Sequence, residues 1–298
     1  MHDMNVLKPA ILVLLLLTSG WVAADFEVAT EDIWLESRGL SIPATLVSPK
    51  DLAAEVPLVL LIHGHGGTRH EAGGFTQVAE GLARNGIASI RMDFPGCGDS
   101  RESFRENNLT NMFADVAAAR AEAERRLSVD TQRLALLGFS NGGRMAMHLS
   151  AGNEYRAVAL WAPSAADGAE RMRSFVGGEQ AWLKMRKQAE QEGFVPFTTA
   201  WGQYQELGPQ WFADLQASKP SQFIQEYTGH LMVLYGDQDT VVPPEVAELA
   251  LSAATSARSK TRVVVPGADH GLGLFNGDDA SVQKTVDSTV AFLSTHLE

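Results

Sequence analysis

Leu134-Ala135-Leu136-Leu137-Gly138-Phe139-Ser140-Asn141-Gly142 decides the reading of this chain: an apolar run ends in a serine between two glycines, and residues 143–150 behind it carry a helical pattern. A serine on such a strand-to-helix turn is a nucleophile elbow. The turn is strained and strand and helix crowd it, so a Cβ at Gly138 or Gly142 is expected to clash. In a chain with 27 glycines the pattern alone has low specificity, and its weight comes from the strand before it and the helix after it.

Upstream, residues 26–35 and 40–47 read as two strands around the turn Ser37-Arg38-Gly39, with Phe26/Val28 and Ile33/Leu35 supplying period-two alternation. They predict an antiparallel start to a sheet. Apolar strands at 58–62, 88–92, 134–137, 157–161, 231–235 and 262–265 then alternate with helical patterns at 75–85, 109–127, 143–151, 245–255 and 281–296. Near-continuous apolar strands separated by amphipathic helices predict an α/β fold, a mostly parallel sheet of eight-stranded type with helices on both faces.

The interval 167–229 breaks this rhythm. It has no strand pattern and carries Trp182, Met185, Phe194, Phe197, Trp201, Tyr204, Trp211 and Phe212 between Gly and Pro breaks. It is expected to be a helical cap insertion over the site, the alternative being a peripheral helical excursion whose aromatics form its own core. The core is then 25–166 together with 230–298. No internal repeat or low-complexity tract is found.

At 298 residues, 45% apolar and 20% charged, the chain can bury one large core. Lys8, the apolar run 10–17 and Val22-Ala23-Ala24 read as an export leader spanning residues 1–24, which makes the product periplasmic or secreted. The run is shorter than the roughly 20 apolar residues of a membrane anchor, so no stable membrane association is expected after cleavage. A lipoprotein is excluded because the only cysteine is Cys97, which also leaves the fold without an internal disulfide. Lys8 and Asp3 offset each other in the leader, so the remainder keeps the net charge of −12. That excess disfavours nucleic acid and anionic lipid as partners.

A serine hydroxyl needs a base to take its proton and a third group to orient the base. Downstream, Tyr235-Gly236-Asp237-Gln238-Asp239 sets two carboxylates just past a buried strand, and Gly267-Ala268-Asp269-His270-Gly271 sets a histidine past the next strand. Open α/β sheets build their sites at these strand ends. Asp239, further into its loop, is the expected orienting acid, and Asp237 is expected to cap the turn. Asp269 is expected to be structural. The oxyanion donors are expected to be the backbone N–H of Asn141 and, from His63-Gly64-His65-Gly66-Gly67, that of His65, with Gly66 as the alternative; the His65 imidazole then has no required role. A zinc site at His63, His65 and His70 lacks a nearby carboxylate or cysteine to complete it, so neither metal nor cofactor is expected. Cys97, in a glycine turn without an adjacent base, reads as structural.

His63-Gly64, Asp93-Phe94-Pro95-Gly96-Cys97-Gly98-Asp99-Ser100, the elbow, Asp239 and His270 together resemble the α/β-hydrolases of serine esterase type over nearly the whole chain after the leader. The Asp-x-x-Gly-x-Gly-x-Ser stretch and the long insertion between the sixth and seventh strands are similar to the cinnamoyl (feruloyl) esterases and the serine aminopeptidase-like hydrolases. Those relatives usually carry histidine where this chain has Cys97. Dienelactone hydrolases are similar in outline but use a cysteine nucleophile where this chain has Ser140. The resemblance implies an α/β-hydrolase fold and hydrolysis of a small-molecule ester with apolar or aromatic groups by Ser140, His270 and Asp239. An aminopeptidase reading requires a cap carboxylate for the substrate amine, with Glu179, Glu190, Glu192 and Glu206 available. A non-catalytic binding protein on the same fold is the reading from a third class.

Overall fold

The computed structural model describes residues 26–50 and 55–298, so the export leader expected at 1–24 lies outside the described residues. The chain opens with β1 (Val28–Ser37) and β2 (Leu40–Pro49), antiparallel around Arg38 and Gly39. Then β3 (Val56–Ile62), α1 (Gly74–Arg84), β4 (Ala88–Met92), α2 (Leu109–Arg126), β5 (Val129–Phe139), α3 (Asn141–Ser150) and β6 (Tyr155–Trp161) alternate as the sequence pattern predicts. The strands run further than the apolar runs alone, most visibly β5, which begins at Val129 where it meets Val56 and whose entry residues 129–133 are part-buried or exposed.

The insertion follows as α4 (Glu170–Phe175), α5 (Glu179–Glu192), β7 (Val195–Thr198), β8 (Tyr204–Leu207), α6 (Pro209–Ala217) and α7 (Pro220–Gln225). Its β7–β8 hairpin corrects the expectation of a wholly helical segment. Four-residue strands with Pro196 inside one of them carry no readable alternation. β9 (His230–Gly236), α8 (Pro244–Ala253), β10 (Ser259–Val265) and α9 (Asp279–Leu297) complete the chain.

The main sheet has eight strands in the order β1-β2-β4-β3-β5-β6-β9-β10, antiparallel at β1/β2 and β2/β4 and parallel throughout the rest. The chain moves from β3 outward to β4, then returns to place β5 on the other side of β3. This reversal opens a crevice at the carboxyl ends of β3 and β5. Alternation along each strand feeds two cores. Leu58, Leu60 and Ile62 of β3 join Met112, Val116 and Met145 on one face, and Val59 and Leu61 join Phe75, Val78, Leu82 and Leu293 on the other. Each such fully buried aliphatic side chain contributes about 1.5–3 kcal/mol. Trp161 Nε1 donates to Thr289 Oγ1 at 2.8 Å, fixing α9 across the back of the sheet.

Candidate active site

β5 ends at Phe139 and α3 starts at Asn141, so Ser140 alone makes the turn, at φ 52° and ψ −111°. An L-residue rarely accepts that conformation, and the surroundings hold it there. Ser140 N–H donates to Trp161 O at 2.9 Å, and Ser140 O accepts from Ser164 N at 3.0 Å and Arg144 N at 3.1 Å. The glycines are required by backbone, not by side chains: a Cβ on Gly138 would lie 2.4 Å from Gly142 O, and one on Gly142 would lie 2.0 Å from Ile62 O.

The loop after β10 brings His270 over the elbow, with Nε2 3.1 Å from Ser140 Oγ and Nδ1 2.7 Å from Asp239 Oδ2. The Asp239 side chain is fully buried, and its Oδ1 accepts from Val241 N and Val242 N, each at 2.8 Å. Because Asp239 Oδ2 can only accept, Nδ1 of a neutral His270 carries the proton and Nε2 is free to take one from Ser140. Asp237 does something else: its Oδ1 accepts from Gly267 N at 2.7 Å, tying the loop after β9 to the loop after β10. Asp269 Oδ1 accepts from Gly271 N at 3.0 Å, within its own loop.

The loop after β3 passes close to the elbow, since a Cβ on Gly64 would stand 3.4 Å from Ser140 Cβ. His63 is buried and bound to backbone on both sides, Nδ1 to Gly64 O at 2.8 Å and Nε2 accepting from Phe94 N at 3.2 Å; burial lowers its pKa. His65 Nε2 meets Gln205 Oε1 of β8 at 2.8 Å, its ring lies among Phe104, Phe175 and Trp211, and burial pushes its pKa down to about 4. The imidazole therefore docks the insertion, a role that depends on a partner 140 residues away. The three histidines of this loop have separate partners, and no group of three or more metal-ligating side chains is found among the described residues.

Two buried groups hold this loop from behind: Glu71, which sequence reasoning missed, and Cys97, which it read as structural. Glu71, at φ 43°, is buried against it, its Oε2 accepting from Gly64 N at 2.9 Å, and burial raises its pKa to about 7. Cys97 is buried with Asn107 Nδ2 3.5 Å from its sulfur; burial raises the thiol to about 12 against opposing contacts from Asn107 and the Gly66 N–H. Asp93 is buried and accepts from Arg69 N at 2.7 Å and Asp99 N at 2.9 Å, with an ion pair to the Arg69 guanidinium. The Asp-x-x-Gly-x-Gly-x-Ser stretch is in this sense a folded buttress. A Cβ on Gly98 would run into the Asp93 carboxylate at 2.3 Å.

The insertion roofs the crevice. Trp182, Trp211 and Phe212 pack together in its own core, with ring centroids 4.8–5.5 Å apart. Met172, Phe175 and Trp201 instead line a cavity of about 410 Å³ that contains Ser140 and His270, closed on the other side by Val242 and Phe275. Of the aromatics singled out in the sequence, Trp182, Trp211 and Phe212 belong to the insertion's own core and Trp201 lines the cavity. The root of the insertion is fastened by buried Arg144 of α3, which donates to Ser218 Oγ at 2.8 Å and Ala166 O at 2.9 Å.

A profile described as the alpha/beta hydrolase family matches residues 59–283, from β3 into α9 and through every element just described as building the site. The chain belongs to the alpha/beta hydrolase family. No curated protein matches it significantly. Among solved members of the fold, Est1E from Butyrivibrio proteoclasticus with ferulic acid bound superposes at a TM-score of 0.68 and 20% identity, covering 88% of this chain and 99% of that one. The esterase domain of a Rhodothermus marinus protein superposes at 0.63 and 19% identity, covering 91% and 100%. At these identities the likeness establishes the shared α/β-hydrolase architecture.

Proposed function

We propose that the chain is a serine carboxylic-ester hydrolase working through an acyl-enzyme. The observation that carries this is the unbroken contact line Ser140 Oγ–His270 Nε2–Nδ1–Asp239, at 3.1 and 2.7 Å, on the floor of a roofed apolar cavity. His270 takes the Ser140 proton as Oγ attacks the ester carbonyl, and the backbone N–H groups of His65 and Asn141 receive the oxyanion. His270 then protonates the departing alcohol. Water, deprotonated by the same imidazole, attacks the acyl-enzyme and releases Ser140. Proton movement and oxyanion stabilisation in this scheme use the chain's own groups.

The aminopeptidase reading has less support. Glu179, Glu190 and Glu206 are bound by Arg173, Arg186 and Arg105, Glu192 accepts from Gln188, and none of the four lines the cavity. Met172, Phe175, Trp201 and Phe275 support an ester with an apolar or aromatic group, and the leader pattern at residues 1–24 supports a periplasmic or secreted location. Ser140→Ala is expected to reduce hydrolysis of p-nitrophenyl butyrate by several orders of magnitude, about 10⁶ where the serine carries the whole mechanism. A fluorophosphonate probe is expected to label the wild type and not the variant. Undiminished turnover by the variant refutes the assignment, and an unlabelled wild type points to a binding protein.

A further inference from the structure

Of the three arginines in residues 167–229, Arg173 pairs with Glu179 at 3.0 Å and Arg186 with Glu190 at 3.4 Å, both on the outer surface. Arg171, on the same helix α4 as Arg173, lines the cavity that holds Ser140 and His270. Among the described residues it has no carboxylate partner. Its Nη2 donates to Val241 O at 2.9 Å, which ties the roof to the loop carrying Asp239; its Nε lacks an acceptor, as do those of Arg173 and Arg186, so its place in the cavity and its missing carboxylate are what set it apart. The carboxylates that also border the cavity are otherwise engaged, Glu71 by Gly64 N and Asp269 by Gly271 N. Arg171 is half-buried, and a guanidinium that faces a cavity without a carboxylate partner offers its remaining N–H donors to whatever acceptor enters. The rest of the roof, Met172, Phe175 and Trp201, and Phe275 opposite it offer no such acceptor.

We infer that Arg171 is a subsite for a carboxylate on the substrate, so that the preferred ester joins an apolar segment to a distal anionic group, as in a half-ester of a dicarboxylic acid. This rests on the serine esterase reading of the same cavity. The apolar wall takes the carbon chain, the elbow takes the ester carbonyl, and Arg171 takes the far carboxylate through charge-assisted hydrogen bonds. The chain's net charge of −12 opposes the approach of an anion, so the selectivity comes from Arg171 locally and not from long-range steering.

The test compares kcat/KM for 4-nitrophenyl hydrogen glutarate and 4-nitrophenyl pentanoate, which share the leaving group and acyl length and differ in the terminal carboxylate. Spontaneous hydrolysis of the half-ester is subtracted. The wild type is expected to prefer the glutarate roughly tenfold or more, the size of one hydrogen bond to a charged group. Arg171→Gln is expected to abolish that ratio, Arg171→Lys to keep part of it, and Arg173→Gln, which removes the same charge two residues away, to leave it unchanged. Because the readout is a ratio between two esters, a general loss of activity from a loosened roof does not imitate the effect. A wild-type ratio at or below one, or a ratio that Arg171→Gln leaves in place, overturns the inference while leaving the esterase reading intact. Absence of Ser140-dependent turnover of both esters overturns the esterase reading and this inference with it.

Discussion

Asp239→Asn changes one atom and is expected to remove nearly all of the activity. Oδ1 of Asp239 accepts from both Val241 N and Val242 N at 2.8 Å inside a fully buried pocket. An asparagine must keep its oxygen there, because turning the amide would set its NH₂ against two backbone donors and leave them unpaired at about 1–3 kcal/mol each. The NH₂ therefore occupies the Oδ2 position, 2.7 Å from His270 Nδ1. That nitrogen has to become the acceptor, which moves the imidazole proton to Nε2, facing Ser140 Oγ at 3.1 Å. The base then presents a proton where it should accept one, and the imidazolium formed during reaction loses its counter-charge. The same tautomer error in a Ser-His-Asp protease lowers kcat by about 10⁴, or roughly 5.5 kcal/mol, and a loss of that order is expected here. Steady-state kinetics on p-nitrophenyl butyrate measure it. Thermal unfolding is expected to stay close to wild type, since the shape and both Oδ1 bonds survive. A kcat within tenfold of wild type would refute the reasoning and remove Asp239 from the orienting role.

Glu71 has its pKa raised to about 7 by burial, from an ordinary 4.5. The native state thus binds the proton more tightly than the unfolded chain, and stability from this group declines as pH rises from about 4.5 through 7, by about 3 kcal/mol in all. Glu71→Gln removes that titration, so chemical denaturation should find the variant gaining on the wild type between pH 4.5 and 8; parallel curves would contradict the burial argument. Gly142→Ala meets backbone oxygens of Ile62 and His63 at 2.0 and 2.6 Å and is expected to cost more than about 3 kcal/mol or prevent folding. Gly277→Ala, at φ 77° with open space around it, is expected to cost only about 1 kcal/mol, and comparing the two melting temperatures tests whether contact outweighs backbone strain. With its thiol raised to about 12, Cys97 should resist iodoacetamide in the native protein and react at once in denaturant; rapid native labelling would show the turn to be open.

The elbow, the order Ser140, Asp239, His270, and the choice of Asp239 over Asp237 as the residue beside His270 were legible because each depends on short-range rules. Apolar runs of strand length, glycines at a crowded turn and polar residues just past strand ends are local patterns. The hairpin β7–β8 was not legible, because its short strands are held by distant partners: Gln205 meets His65, Gln203 donates to Gly66 O, and Glu206 pairs with Arg105. In sequence Glu71 is one acidic residue among 36 Asp and Glu, and Arg171 resembles Arg173 two positions on. Only the folded loop after β3 sets the first behind Gly64, and only the seating of α4 over the sheet turns the second into the cavity. By itself the sequence determined the sheet, the elbow and the loops that carry Asp239 and His270, since these follow from periodicity and turn sterics along the chain. The tertiary structure decided which charges lose water and which keep it, because desolvation depends on what the folded chain brings from far away.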